Sequence, residues 1–212
     1  MYLSRLMFNP RDPAAVRALS DAYALHQLIL SAFPHREDGG PGRVLFRTEA
    51  SANCGAPQVL VQSEKEPGWS RLERALLLRI ESKKVSIKVA RGQRLRFRLR
   101  ANPTVRRQAL PATEGKPEAA HKRIGVYGEE AQRRWLDGKA EKHGFRVLES
   151  RVADRGFVLS HKPGQREPLR HLCVEFDGIL EVTDSGRFSP ALQTGIGSGK
   201  GFGFGLLSVA RA

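Results

Sequence analysis

The order of predicted elements makes this chain an α+β protein, with strand–helix–strand–strand–helix–strand written twice in tandem. That order is the ferredoxin-like (RRM-like) βαββαβ plan. Three observations predict it. Apolar residues alternate with polar ones at Val85, Ile87 and Val89 and again at Leu95, Phe97 and Leu99, the period of a half-buried strand. Helical spacing appears at Leu25, Leu28, Ile29 and Ala32, and later at Ala131, Trp135, Leu136 and Ala140. Between the two sets lies a turn at Arg91-Gly92, after which the pattern restarts. The expected domains are therefore 1–91 and 92–212.

Leu3 to Phe8 reads as the first strand, stopped by Asn9-Pro10. Asp12-Pro13 opens a helical region that runs to Phe33 with a break near Ser20-Asp21, and Pro34 to Gly42 is a loop. Arg43 to Glu49 and Gln58 to Gln62 read as strands, Trp69 to Leu78 as a helix, and Ile80 to Val89 as the fourth strand. In the second copy Arg94 to Ala101 is a strand, Ala109 to Ala120 a loop, and Glu129 to His143 a helix. Phe145 to Leu159 and Leu169 to Val182 are strands. A short helix near Phe188 to Gln193 leads through a glycine-rich stretch to a last strand, Phe204 to Val209.

With 212 residues and a hydrophobic fraction of 40%, the chain can bury real cores. Its charge is less ordinary. Lys+Arg number 36 against 22 Asp+Glu, a formal net charge of +14, which favours nucleic acid over acidic proteins as a partner. The chain has no lipidation motif, no basic amphipathic helix and no apolar run long enough to cross a membrane, so no membrane partner is expected. The N-terminus lacks the apolar core of a signal peptide. Cys54 and Cys173 lack metal-ligand spacing, as do the histidines, and a cytoplasmic protein with reduced thiols is expected.

Three constellations carry chemistry. Lys83 to Arg107 contains basic residues and no acid. Within it Arg94-Leu-Arg-Phe-Arg-Leu-Arg100 puts four arginines on one strand face, about 7 Å apart. They suit phosphates, or acids brought from elsewhere such as Glu175 or Asp177. Next comes Gly195-Ile-Gly-Ser-Gly-Lys200-Gly-Phe-Gly-Phe-Gly205, with Gly at every second position. So much glycine implies close approach to the backbone, or positive φ angles that aim N–H groups at an anion. The Walker and dinucleotide patterns both fail here, since Gly201 follows Lys200 and Lys200 stands where a third glycine should be. Lys200-Gly-Phe-Gly-Phe204 matches the start of an RNA-recognition signature, but it lies too near the chain end for that fold position. The third is Tyr23-x-x-His26, three apart on one helix and able to address one atom. A histidine beside a phenol suits proton transfer at a phosphate, although such a pair is also ordinary helix surface.

Taken together, these segments resemble the CRISPR RNA-processing endoribonucleases of type I-E systems, the CasE family of Cascade subunits. The resemblance rests on Met1-Tyr-Leu-Ser, Tyr23-x-x-His26, Leu95-Arg-Phe-Arg-Leu-Arg-Ala-Asn-Pro103, Phe176-Asp-Gly-Ile-Leu180 and Gly195 to Ser208. It implies metal-independent cleavage of precursor CRISPR RNA beside a repeat hairpin, by attack of a ribose 2′-OH, to a 2′,3′-cyclic phosphate and a 5′-OH. His26 takes the place of the family's general base or acid, and Tyr23 that of its phosphate-positioning tyrosine. The family's basic hairpin falls around Arg155 to Arg170. Lys162, Arg166 and Arg170 are expected on the RNA, with Arg98, Arg100, Gly197, Gly199 and Lys200. The expected partners are the CRISPR repeat hairpin and other Cascade subunits, with no small-molecule cofactor and no metal. A non-catalytic RNA-binding subunit of the same complex is the alternative, and a phosphate-binding metabolic enzyme would need a pocket that no motif marks.

Overall fold

A computed structural model describes residues 1–35, 37–49, 55–106 and 123–212. The first half contains β1 (Tyr2–Phe8), α1 (Pro13–Ser20), α2 (Ala22–Leu30), β2 (Val44–Glu49), β3 (Gln58–Ser63) and β4 (Leu77–Lys84). Its four strands form one antiparallel sheet in the order β2-β3-β1-β4. The break between the helices is made by Asp21, whose backbone is extended at φ −131. Its carboxylate accepts from the Tyr23 and Ala24 N–H groups and starts α2 as a new helix. Leu25 and Ile29 turn inward onto Leu6, Phe8, Phe46 and Val61, which anchors α2 to the sheet.

The second half repeats the plan with β5 (Arg94–Ala101), β6 (Thr104–Arg106), β7 (Arg123–Gly125), α3 (Glu129–Lys142), β8 (Phe145–Ser160), β9 (Leu169–Val182), α4 (Ser185–Thr194) and β10 (Leu207–Arg211). Its main sheet runs β10-β5-β9-β8, again fully antiparallel. Each half thus places its fourth strand beside its first, and its third beside its second. This is the ferredoxin-like order, and the fold is α+β with two tandem copies. In β5 the alternation is strict: Leu95, Phe97 and Leu99 enter the second core while Arg94, Arg96 and Arg98 stay exposed. The strand period converts one sequence pattern into a core and a charged face.

The expected helix over Trp69 to Leu78 does not form. Two 3-10 turns, Trp69–Arg71 and Arg74–Leu76, take its place, and Leu77 already pairs with Phe8. Both ends of this segment are fixed, since the Gly68 N–H donates to the Ala32 carbonyl. A 3-10 path rises about 2.0 Å per residue against about 1.5 Å for an α-helix, so the same few residues reach further. The fourth strand likewise starts earlier than expected and ends at Lys84, opposite Tyr2 where β1 begins. Val85, Ile87 and Val89 lie beyond it, and Val89 packs on the second core. The last strand starts at Leu207 rather than Phe204, because Gly203 and Gly205 bend the chain at φ +83 and +87. The small β6–β7 pair has no counterpart in the sequence reading. Ala109 to Ala120, Arg107 and Cys54 lie outside the described residues.

The halves meet through β2. Arg47, with 3% of its side chain exposed, pairs with Glu49 at 2.5 Å. It also donates to the carbonyls of Arg98 and Leu206 and to the Ser208 hydroxyl. Burial pulls its pKa down, and Glu49 opposes that shift. Nearby, the Gln62 amide donates to the Leu192 carbonyl at 2.7 Å. Removing one partner of a buried pair leaves charge and carbonyls uncompensated, at a cost of about 3–5 kcal/mol. Arg47→Ala is therefore expected to lower unfolding free energy by about that amount in urea titration. A loss below about 1 kcal/mol would mean that the contact between the halves does not depend on it.

Candidate active site

His26 lies on α2, and its half-buried ring stacks on Phe46 of β2 at 6.0 Å and 17°. Burial alone pushes its pKa below the usual histidine value, so the ring is neutral near pH 7. Its Nδ1 is buried without a hydrogen-bond partner, the only such side-chain atom among the described residues. Buried polar atoms are seldom left unpaired in a fold unless something else uses them. Nε2 faces the glycine loop: a Cβ on Gly201 would sit 3.4 Å from it. Tyr23, half-buried one helical turn before, shares this side of α2.

The glycine loop comes from the second half, so the site is assembled between the two. Lys200–Phe202 forms a 3-10 turn between left-handed Gly199 and Gly203. Gly203 is indispensable to the fit, because a Cβ there would meet the Phe46 ring at 3.1 Å, at a φ of +83. Gly195 is as tight, with Leu45 and the Gly205 carbonyl each 2.8 Å from a Cβ position. The loop also closes on itself, since the Ile196 N–H donates to the Gly205 carbonyl and the Gly205 N–H to the Arg100 carbonyl. At Gly195 and Gly203 the close approach implied by so much glycine is thus an approach to β2 of the first half, while Gly197 approaches Trp135 and Gly199 approaches Phe204. Five of the six loop glycines have positive φ, and Gly201, beside His26, does not.

On one side of the loop Phe202 stacks on His171 at 4.2 Å and 22°, and Lys162 Nζ lies 5.6 Å from the Phe202 ring. His171 Nε2 shares a hydrogen bond of 2.9 Å with the Ser160 hydroxyl. Burial, then Lys162, lowers the His171 pKa. Arg170 lies over Phe157 at 4.3 Å, and Arg166 is exposed in the turn joining β8 to β9. That turn is tied to the catalytic-helix candidate. His161, just past the end of β8, donates its backbone N–H to Asp21 Oδ2, and its Nδ1 lies 2.5 Å from the same oxygen. Burial raises the Asp21 pKa, but the hydrogen bonds from Ala24, His161 and Tyr23 outweigh it and the net shift is downward. A 310 Å³ cleft runs between these parts, lined by Ala22 and Leu25 of α2, Phe46, Phe157 and Phe202. Lys200 lies on the other side of the loop, with Gly197. Burial and Arg43 lower its pKa.

The structure therefore brings His26, Lys162, Arg170, Gly199 and Lys200 to one loop, with Tyr23 one helical turn from His26. It does not leave Arg98 and Arg100 in the same condition. Arg98 pairs with Asp177 at 2.5 Å and with Glu49 at 3.2 Å. Arg100 donates to the Thr48 carbonyl and hydroxyl and to Cys173 Sγ, and lies over Phe204. Both guanidinia have partners brought from elsewhere in the chain, and both touch β2 of the first half. Phe46, His171 and Ser160 escaped sequence reasoning, because no motif marks them. Phe202 was visible only as an unfamiliar aromatic in the loop. Among the described residues no three His, Cys, Asp or Glu side chains gather as a metal site, and no helix is long and apolar enough to cross a membrane.

Known proteins match this chain over nearly its whole length. The family described as CRISPR associated protein matches residues 1–211. The chain is 36% identical to the CRISPR-associated endoribonuclease Cse3 of Thermus thermophilus, over 99% of this chain and 100% of that one. It is 31% identical to the CRISPR system Cascade subunit CasE of Escherichia coli, over 99% of each. A solved structure of CRISPR endoribonuclease Cse3 bound to a 19-nucleotide RNA superimposes with a TM-score of 0.85, at 35% identity and with both chains fully covered. The chain belongs to the CRISPR-associated endoribonucleases of type I-E Cascade, the CasE family.

Proposed function

We propose that this protein cleaves precursor CRISPR RNA at its repeat hairpins without a metal and stays bound to the product as a Cascade subunit. The observation that carries the reading is His26, a neutral imidazole with no hydrogen bond at its buried Nδ1, facing a cationic glycine loop. Attack by a ribose 2′-OH needs an oriented phosphate, a proton acceptor and positive charge near the developing oxyanion. His26 takes the 2′-OH proton as the oxygen bonds to phosphorus. The 5′-oxygen then leaves, gains a proton to become a 5′-OH, and a 2′,3′-cyclic phosphate remains. Tyr23 positions the phosphate, and Lys162 and Lys200 supply charge from the two sides of the loop.

Lys162, Arg166 and Arg170 hold the hairpin stem in this reading. They lie on or beside an exposed turn, and A-form RNA offers a protein its shape and phosphates. Gly197, Gly199 and Lys200 face the strand near the cut. We assign the two domains to 1–91 and 92–212, which is supported by the Gly92 N–H already donating to Val182 of the second sheet.

His26→Ala is expected to slow single-turnover cleavage by at least about 10²-fold, the usual scale for general acid–base catalysis. Hairpin affinity should stay nearly unchanged, because one neutral imidazole adds little to binding dominated by cations. A 2′-deoxy nucleotide just upstream of the cut should block the reaction, and EDTA should leave it unaffected. Wild-type cleavage by His26→Ala, or of the deoxy substrate, would sink the mechanism and leave an RNA-binding subunit.

Gly201→Ala probes the same ring from the other side. Its φ suits any residue, and its Cβ would rest against His26 Nε2. Cleavage should fall roughly tenfold, about 1.4 kcal/mol of barrier, with the melting temperature unchanged. Full activity in a folded variant would show that the substrate does not come between loop and ring.

The pH dependence follows from the lowered pKa. A general base works only when unprotonated, so a depressed pKa extends activity toward acid. The acidic limb of kcat/KM, which reports the free enzyme, should bend below about 6.5, the ordinary histidine value. A limb above that value would assign the base to another group.

A further inference from the structure

On the Lys200 side of the glycine loop lies a second cavity, of 220 Å³, of whose lining the cleavage reading uses only Gly197 and Lys200. Lys139, Lys142 and His143 enter it from the end of α3, Arg123 from β7 and Lys200 from the loop, with the Thr104 and Ser198 hydroxyls between them. Among the described residues no Asp or Glu lines it. Lysines at a helix C-terminus have a reason of their own, since they complement the helix dipole. Arg123, which donates to the Thr104 hydroxyl at 3.4 Å, and Lys200 arrive from other elements and lie outside that dipole. The mutual repulsion is visible in the titrating groups. Lys139 is held below the usual lysine value by burial, Lys142 and Arg123. His143 is held down by burial and by Lys139, Lys142 and Lys200. Lys139 lies over the Trp135 ring at 5.5 Å, but cations with no carboxylate beside them in a half-enclosed space favour an anion, and the volume holds a phosphodiester with several waters, at roughly 30 Å³ for each water.

We infer that this cavity is a phosphate subsite for the unpaired RNA strand flanking the hairpin, which deepens the cleavage reading and rests on it. The occupant follows from chain connectivity. Lys200 adjoins Gly201, which faces His26, so a strand passing His26 reaches the cavity along one loop. The stem has its own cations across that loop, where Lys162 lies over Phe202. A continuous polyanion that leaves the site on the Lys200 side meets Lys139, Lys142 and Arg123 next.

The test compares two uncleavable RNAs carrying a 2′-deoxy at the cut: a bare repeat hairpin, and the same hairpin with unpaired flanks long enough to pass the loop. Affinities are measured by fluorescence anisotropy across salt for the full-length protein, for Lys139→Gln/Lys142→Gln, and for a charge-matched control, Arg17→Gln/Arg134→Gln, whose residues do not line the cavity. The cavity variant should lose about three- to tenfold affinity for the flanked RNA and less than about twofold for the bare hairpin, with its log–log salt slope on the flanked RNA falling by about 0.7 for each lost contact. The control should be unchanged on both. Equal loss on the two RNAs, or no loss on either, overturns the subsite and leaves the cleavage reading intact. Failure of the wild-type protein to bind the bare hairpin would instead overturn the cleavage reading.

Discussion

One buried guanidinium decides how the two halves of this protein meet. Arg47 cannot be left unpaired where it sits, so the groups that satisfy it fix the placement of their elements. Those groups are Glu49 on its own strand, the Arg98 carbonyl on β5, and Leu206 and Ser208 at the start of β10. A charge buried in an interface costs several kcal/mol unless its partners are well placed, and one wrong register would strand it. Hydrophobic packing alone tolerates sliding; this arrangement does not. The candidate site needs such fixity, because His26 belongs to one half and Gly201 to the other.

The glycine loop follows from that constraint. It must pass over Phe46 and Leu45 of β2 and also reach His26, and side chains at Gly195 and Gly203 would collide with those residues. Gly195 and Gly203 are therefore explained first by the meeting of the halves and only second by any ligand. Phe46 connects the two roles. It is the floor under Gly203 and the ring on which His26 stacks, so whatever moves the loop against β2 also tilts the imidazole. Asp21 repeats this economy at the start of α2, capping the helix with one oxygen while His161, just past β8, holds the other. The catalytic-helix candidate is thus referred to the second half at two separate points.

Much of this was legible in the chain, because strand alternation and helical spacing are local. The Arg-Leu-Arg-Phe run declared both its faces, and the break at Asp21 declared itself through a residue that caps better than it continues a helix. What local pattern could not show was the outcome of competition between distant parts. Trp69 to Leu76 has helical composition, but fixed ends stretch it into 3-10 turns. The site was half legible: Tyr23 and His26 stand out by spacing, and Lys200 by its loop. Phe46, Ser160 and His171 are ordinary residues in ordinary strands, made significant only by the packing of one half on the other.

The same competition sorts the basic residues, and it changes where an RNA strand is to be looked for. Across β5 and β9 the register sets Arg94 opposite Glu181 and Arg98 opposite Asp177. The acids of Glu175-Phe-Asp-Gly-Ile-Leu-Glu181 alternate so that they face the arginines, and Glu175 is taken by Arg155 from β8. Two of the four arginines in the most conspicuous cationic run, Arg94 and Arg98, are therefore answered by acids within their own sheet. Other cations gather at the β8–β9 turn and around Lys200, on the two sides of the loop that faces His26, and the Lys200 cavity has no acid among its described lining residues. A phosphate chain is drawn to unanswered charge rather than to total charge. In the proposed reading its path follows the few cations at the seam between the halves, beside His26, and the subsite test decides between that path and the strand that carries the most arginines.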